Sequence, residues 1–371
     1  MVVPKFWWEN SLKLSVILTA MLIVTPQLIY PFNFVQAYDS DLNVVTSMSI
    51  IGGIVKGIGG SRVNVYSILP EGVDPHNYAL TVEDIQKALE ADLLVFASVK
   101  NFSLEENILE NAPGKPYLDL VDYARYNVTL LDIPGFRRNF HGYWMKPENA
   151  LAIAKAVHDK LVELDPDGKD VYDYNLQRFE EKIANLIDFL EDISEQYNLK
   201  GLSVAIAVPG AAYVVDAFKM KIASVLLKGP GRFMNATELA ELEAAIKAGE
   251  ISMLICPEIL RGAKAGEISE QVSRDTGIPV VYVRVFGVKD MNYFELMMYN
   301  AGVMKGTIDS MDEYRSSLTS SILPWLYFVV IVSVVIAIIE AFVIYKARRK
   351  VEMEIKGFSF TCVLRGDLCG K

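Results

Sequence analysis

The stretch VYDYNLQRFEEKIANLIDFLEDISEQY, Val171 to Tyr197, organises the chain around it. Leu176, Phe179, Ile183, Leu186, Ile187 and Leu190 recur at helical spacing, and charged residues fill the opposite face, which is the pattern of an amphipathic helix. Neither Gly nor Pro interrupts it. The spacing therefore predicts one continuous helix acting as a stiff strut, unlike a Gly-rich hinge. On its N-terminal side, short apolar runs (Leu42 to Thr46, Arg62 to Leu69, Asp92 to Ala97) alternate with helical segments (Ile50 to Ile58, Val82 to Ala91). On its C-terminal side the alternation restarts, with strands at Leu202 to Val208, Ile222 to Leu227, Ile251 to Cys256 and Val280 to Val285. Between and after them, helical patterns run over Ala211 to Lys219, Thr237 to Ala248, Ser269 to Thr276 and Asn292 to Lys305. Alternation of this kind predicts parallel sheets covered by helices. The expected class is α/β: two Rossmann-like lobes, residues 38–170 and 201–308, joined by a long rigid helix at 171–200.

The 371 residues are 52% hydrophobic and 22% charged, and the apolar excess sits at the two ends. Lys5 and Lys13 precede the apolar run Leu14 to Val24, which leads through Pro26 to Phe34-Val35-Gln36-Ala37. This reads as a secretory signal at 1–37, cleaved after Ala37 or retained as a signal anchor. No cysteine lies near that junction, which sets aside a lipid-modified start there. The second run, Ile322 to Tyr345, carries a single charge, Glu340. At about 1.5 Å per residue it covers about 36 Å, enough for a hydrocarbon core of about 30 Å. Lys346, Arg348, Arg349 and Lys350 follow it, whereas Asp309, Asp312 and Glu313 precede it with only Arg315. That asymmetry predicts a transmembrane helix at 322–345, a cytoplasmic tail at 346–371, a juxtamembrane linker at 309–321 and an extracytoplasmic bulk. Glu340 falls near the inner end, within snorkelling reach of the basic residues. Three sequons, at Asn101, Asn127 and Asn235, lie in the external part.

A net charge of −10 excludes nucleic acid as a partner, because phosphate binding needs clustered Lys and Arg. Of the three cysteines, Cys256 reads as a buried strand residue, and Cys362 and Cys369 form no zinc knuckle. No nucleophile elbow, phosphate loop or acid–base pair is present, so the expectation is a non-enzyme with no catalytic cofactor.

Ligands of α/β sheets bind beyond the carboxyl ends of the strands, and a cleft between facing lobes is the default site. Two loops fit that position. Pro70-Glu71-Gly72-Val73-Asp74-Pro75-His76 follows the second strand, with two prolines to stiffen it. Asn139-Phe140-His141-Gly142-Tyr143-Trp144 leads through Pro147 into the helix Glu148 to Leu164. Imidazoles on rigid loops suit zinc, manganese or iron; an isolated loop histidine equally suits a plain polar surface. His158, inside a helix, reads as structural.

From Leu42 to Ile308 the chain resembles the extracytoplasmic substrate-binding proteins of zinc and manganese ABC importers. The resemblance is carried by Val44-Val45-Thr46-Ser47 with Ile50-Ile51-Gly52-Gly53-Ile54-Val55, and by Asp74-Pro75-His76-Asn77-Tyr78 followed by Thr81. It continues in His141 with Trp144-Met145-Lys146-Pro147-Glu148-Asn149-Ala150, in Leu164-Asp165-Pro166, in the long helix and in Tyr293-Phe294-Glu295-Leu296-Met297-Met298. It implies zinc or manganese as transported ligand, ABC permease and ATPase subunits as partners, and a membrane location. It also implies His76 as the first metal ligand and His141 as the second, although His141 stands three residues before Trp144 where two is commoner. The third position falls near Pro209-Gly210 and the fourth near Arg284, neither a metal donor. Glu258 and Asp290 are the carboxylates available to replace them. The competing readings keep the fold without the metal, with Arg284 holding an anionic ligand or the protein serving as a cell-surface interaction protein.

Overall fold

Strand β1 (Leu42–Thr46) leads through α1 (Ser49–Gly59) to β2 (Val63–Ser67). Helix α2 (Val82–Glu90) leads to β3 (Leu93–Val95), and α3 (Ser103–Asn111) to β4 (Tyr117–Leu118) and the short α4 (Leu120–Tyr123). The computed structural model describes residues 42–73, 75, 78–287 and 291–364, with side chains beyond 313 described only for 323–353. The signal segment expected at 1–37, together with His76, Asp290 and Cys369, lies outside the described residues. The four strands form a parallel sheet in the order β2-β1-β3-β4, with Val44 opposite both Val65 and Leu93. Helix α1 covers it by burying Ile50, Ile51, Ile54, Val55 and Ile58, each worth about 1.5–3 kcal/mol when fully removed from water. Helix α2 starts at a reciprocal cap, in which Thr81 accepts from the Asp84 amide and Asp84 accepts from the Thr81 amide. The Leu-Asp-Pro motif turns out to be a clasp: Asp165 accepts from Nε and Nη2 of Arg62 at 2.7 and 2.9 Å and from the Tyr172 hydroxyl at 2.6 Å.

Next comes an antiparallel ribbon of β5 (Leu131–Ile133) and β6 (Phe136–Asn139), then the long helices α5 (Pro147–Leu164) and α6 (Lys169–Gln196). Helix α6 runs unbroken for 28 residues. Of its predicted stripe, Phe179, Ile183, Leu186 and Leu190 are buried, and Leu176 and Ile187 are half-buried. The second sheet is built from β7 (Ser203–Ile206), β8 (Lys221–Val225), β11 (Leu254–Pro257) and β12 (Val280–Val283). Its order is β12-β11-β7-β8, all parallel. Helix α7 (Ala212–Ala217) links β7 to β8; α8 (Ala236–Lys247) precedes β11 and α9 (Lys264–Thr276) follows it. Leu242, Ile246, Leu254, Cys256 and Val272 pack together as its core. Cys256 is fully buried there, and burial pushes its thiol up to about 11. A small hairpin of β9 (Leu227–Gly229) and β10 (Arg232–Phe233), turning at Pro230-Gly231, was not foreseen from the pattern.

Packing divides the chain into two units. Residues 75–126 and 153–179 go with the first sheet; 127–152 and everything from 180 go with the second. Residues 127–152, expected in the first lobe, thus pack with the second sheet. The reason is visible locally, since the Leu131 amide donates to the Tyr213 hydroxyl at 3.0 Å and Trp144 is bonded to Val285. Helix α10 (Tyr293–Leu364) runs 72 residues with Pro324 inside it, so the segment 309–321, expected as a linker, is helical. Its first turns bury Tyr293, Leu296, Met297, Ala301 and Met304. Further on, Leu323–Met353 is long and apolar enough to cross a membrane, and none of it is buried.

Candidate metal centre

Strand β6 ends at Asn139, a buried side chain that fixes the loop after it. Its Nδ2 donates to the Pro209 carbonyl at 2.9 Å, and that bond sets which way the amide points. Oδ1 therefore faces the loop as an acceptor, taking the His141 amide at 3.1 Å and lying 3.2 Å from His141 Nδ1. A carbonyl oxygen can only accept. In the neutral imidazole Nδ1 then carries the proton and Nε2 keeps the lone pair, which is the tautomer that coordinates a metal through Nε2. The Phe140 ring lies 4.1 Å from the imidazole, centroid to centroid.

The loop is tied down on both sides. Gly142 takes φ +79°, and a Cβ on it would lie 2.4 Å from the Gly210 carbonyl oxygen, so only glycine lets the two backbones meet. Trp144 is fully buried and donates from Nε1 to the Val285 carbonyl at 2.9 Å. Asn149, also fully buried, donates to the Thr129 and Tyr143 carbonyls at 2.9 and 3.0 Å. His141 is thereby carried to the carboxyl end of the second sheet, where β7 and β12 finish.

Three strand ends supply the neighbouring groups. Beyond β7 stands Pro209-Gly210, and a Cβ added at Gly210 would meet nothing within 4 Å. Glu258 opens the 3-10 turn after β11. Arg284 follows β12, donates from Nε to Glu258 Oε2 at 2.7 Å and stacks its guanidinium 3.9 Å from the Tyr299 ring centroid. The Tyr299 hydroxyl reaches the same Oε2 at 3.4 Å. Asn300, fully buried on α10, accepts from the Arg284 amide and donates to its carbonyl, both at 2.8 Å. The hydrogen bond to Glu258 is the main reason that the Arg284 pKa is held above its usual value.

Around the first sheet, Tyr78 of the Asp-Pro-His-Asn-Tyr motif donates to Asp84 Oδ2 at 2.7 Å. Burial, reinforced by that bond, pushes its phenol up to about 12. Glu105 is buried beneath the ends of β1 and β3. Its Oε1 takes the Ser47 hydroxyl at 2.5 Å and the Ala97 amide at 2.7 Å, and its Oε2 takes the Ser98 amide at 2.7 Å. Burial raises its carboxyl to about 7 against the pull of those three donors. His158, read as structural, bridges Asp159 and Asp173 at 2.8 Å each.

Of the expected metal donors, His141 and Glu258 stand at the same end of the second sheet, and His76 and Asp290 lie outside the described residues. Among the described residues, no group of three or more His, Cys, Asp or Glu is placed to hold a metal ion. Two supporting roles escaped sequence reading, those of Asn139 and Glu105. Asn139, two residues before a loop histidine, was the only local signal for the first; nothing local marked the second.

Over residues 44–306 the chain matches the family model for the zinc-uptake complex component A, periplasmic (ZnuA). The chain belongs to this family. The ZnuA family is one of solute-binding components of ABC importers and not of enzymes, which agrees with the metal-receptor reading and not with the scaffold or anion alternatives. Among its relatives is the manganese ABC transporter substrate-binding lipoprotein scaA of Streptococcus gordonii, 27% identical over 70% of this chain and 87% of that protein. PsaA of Streptococcus pneumoniae, likewise named a manganese ABC transporter substrate-binding lipoprotein, is 25% identical over 70% of this chain and 86% of its own. Among solved structures, the Cd-bound periplasmic metal binding protein of Candidatus Liberibacter asiaticus aligns with TM-score 0.59 at 21% identity, covering 72% of this chain and 99% of that one. FpvC of Pseudomonas aeruginosa in complex with Mn2+ aligns with TM-score 0.61 at 20% identity, covering 73% and 99%. These two establish the fold they share with this member of the ZnuA family.

Proposed function

We propose that the chain is the extracytoplasmic receptor of a metal ABC importer, taking zinc or manganese as transported substrate and handing it to a membrane permease driven by an ATPase. The observation that carries this is the Asn139–His141 arrangement, in which Asn139, held by the Pro209 carbonyl, sets its Oδ1 against His141 Nδ1 at the carboxyl end of a family-matched sheet. His141 is the donor the geometry supports best, with Glu258 at the same end of the sheet; His76 and Asp290 complete the set on sequence grounds, giving the roughly four donors that zinc prefers. The relatives named above are lipoproteins. In this chain the anchor is the apolar run of α10 that ends at Tyr345, within the stretch long and apolar enough to cross a membrane, with Lys346, Arg348, Arg349 and Lys350 on the cytoplasmic side.

Titration calorimetry on the detergent-solubilised full chain tests the metal. Zinc or manganese should bind, His141→Ala should remove most of the heat, and affinity should fall as pH drops through about 6.5, where free histidine protonates. Absence of binding by both metals refutes the reading. For the anchor, protease added to intact cells should remove both units and spare an epitope placed after Lys350; the reverse pattern refutes the topology.

A further inference from the structure

Arg284 places a positive charge where the proposed function needs to receive one. Its surroundings are those of a bound cation. Glu258 contacts Nε, the face of Tyr299 lies under the guanidinium, and Glu71 also acts on it through space. Asn300 secures the backbone of Arg284 through both its amide and its carbonyl. Among the described residues, Nε to Glu258 is the one hydrogen bond that the guanidinium makes. The pair is not sealed off, since the Arg284 and Glu258 side chains are 26% and 37% exposed. Ion pairs with that much solvent access are weak enough to exchange partners. A divalent ion entering beside a guanidinium left in place would meet repulsion.

We propose that Arg284 is a resident cation that competes with the substrate metal for the Glu258 carboxylate. The metal gains Glu258 only as the guanidinium swings off it, and the guanidinium takes the carboxylate back as the metal leaves. Arg284 is in this sense an affinity-setting residue. It holds binding below what the donors alone would give, and it leaves no bare carboxylate when the receptor empties. The inference rests on Glu258 being a metal donor, as proposed above.

The test uses the full chain in detergent, titrated separately with zinc and manganese at buffered free-metal concentrations. Arg284→Gln should bind about tenfold tighter than the parent chain, because a competitor and a repulsive charge are both removed. Arg284→Lys, which keeps the charge, should stay near the parent. Glu258→Gln should weaken binding, and adding Arg284→Gln to it should bring a smaller gain than in the parent chain, since only the repulsion is then relieved. A protein in which Arg284 only braces the fold would instead melt lower without gaining affinity. If Arg284→Gln fails to fold, Tyr299→Leu removes the stacking face and the hydroxyl and should tighten binding in the same direction. Folded Arg284→Gln that binds no tighter than the parent overturns the inference while leaving the receptor reading intact. Failure of every variant and the parent to bind either metal overturns the receptor reading itself.

Discussion

Replacing Glu105 tests how the first sheet holds the loops that leave it. Its carboxylate accepts the Ser47 hydroxyl and the Ala97 amide on one oxygen and the Ser98 amide on the other. A glutamine has one accepting oxygen and one NH2 group. Whichever way it is turned, a buried backbone N–H faces another donor. One unsatisfied buried amide costs about 1–3 kcal/mol, and Glu105→Ala, which leaves two, costs about 2–6 kcal/mol before any water enters. The cost is tied to pH. Burial raises the folded carboxyl from 4.5 to about 7, a difference equivalent to about 3 kcal/mol. Between those values the folded chain binds more protons than the unfolded one, so this contribution is fully present below about pH 4.5 and lost as pH rises through about 7. Glutamine does not titrate. The stability gap between the parent and Glu105→Gln should therefore be wide at pH 5 and narrow at pH 8. Amide hydrogen exchange at Ala97 and Ser98, read beside urea unfolding of the full chain, measures both the local and the global effect. A gap that stays the same at pH 5 and pH 8, or protection at these two amides that Glu105→Ala leaves unchanged, refutes the reasoning.

The remaining predictions concern the loop that carries His141. Gly142→Ala forces a Cβ against the Gly210 carbonyl at a positive φ and should cost at least about 2 kcal/mol, with a loss of metal affinity in calorimetry as His141 shifts. Gly210→Glu, by contrast, enters open space; it should leave the melting temperature nearly unchanged and tighten zinc or manganese binding about tenfold by adding a donor. Gly210→Gln should bring no such gain, and equal gains from both would show that the new side chain does not reach the metal.

The helices and strands were legible because their signals are local. The stripe through α6 and the alternation of β1, α1 and β2 each depend on neighbours within a turn or two of chain. The assignment of 127–152 was not legible, since it depends on Tyr213 and Val285, far along the sequence. The proposed metal site divides the same way. His141 is a candidate from its loop and its family-like surroundings alone. The tautomer of its imidazole was not legible, because Pro209 sets it through Asn139. In the sequence Glu258 stands as a candidate donor and Arg284 as a non-donor at the fourth position, with nothing local to join them. Only the parallel pairing of β11 with β12 brings their side chains together.

The grip of Asn300 on the amide and carbonyl of Arg284 also bears on rates. With both backbone groups held at 2.8 Å, the guanidinium can leave Glu258 only by turning about its own side-chain bonds. Rotamer changes of partly exposed side chains take picoseconds to nanoseconds, against microseconds or longer for collective backbone motion. In the proposed exchange of guanidinium for metal at Glu258, that step is then not the slow one, and the pace of capture passes to the arrival of the ion and the shedding of its water.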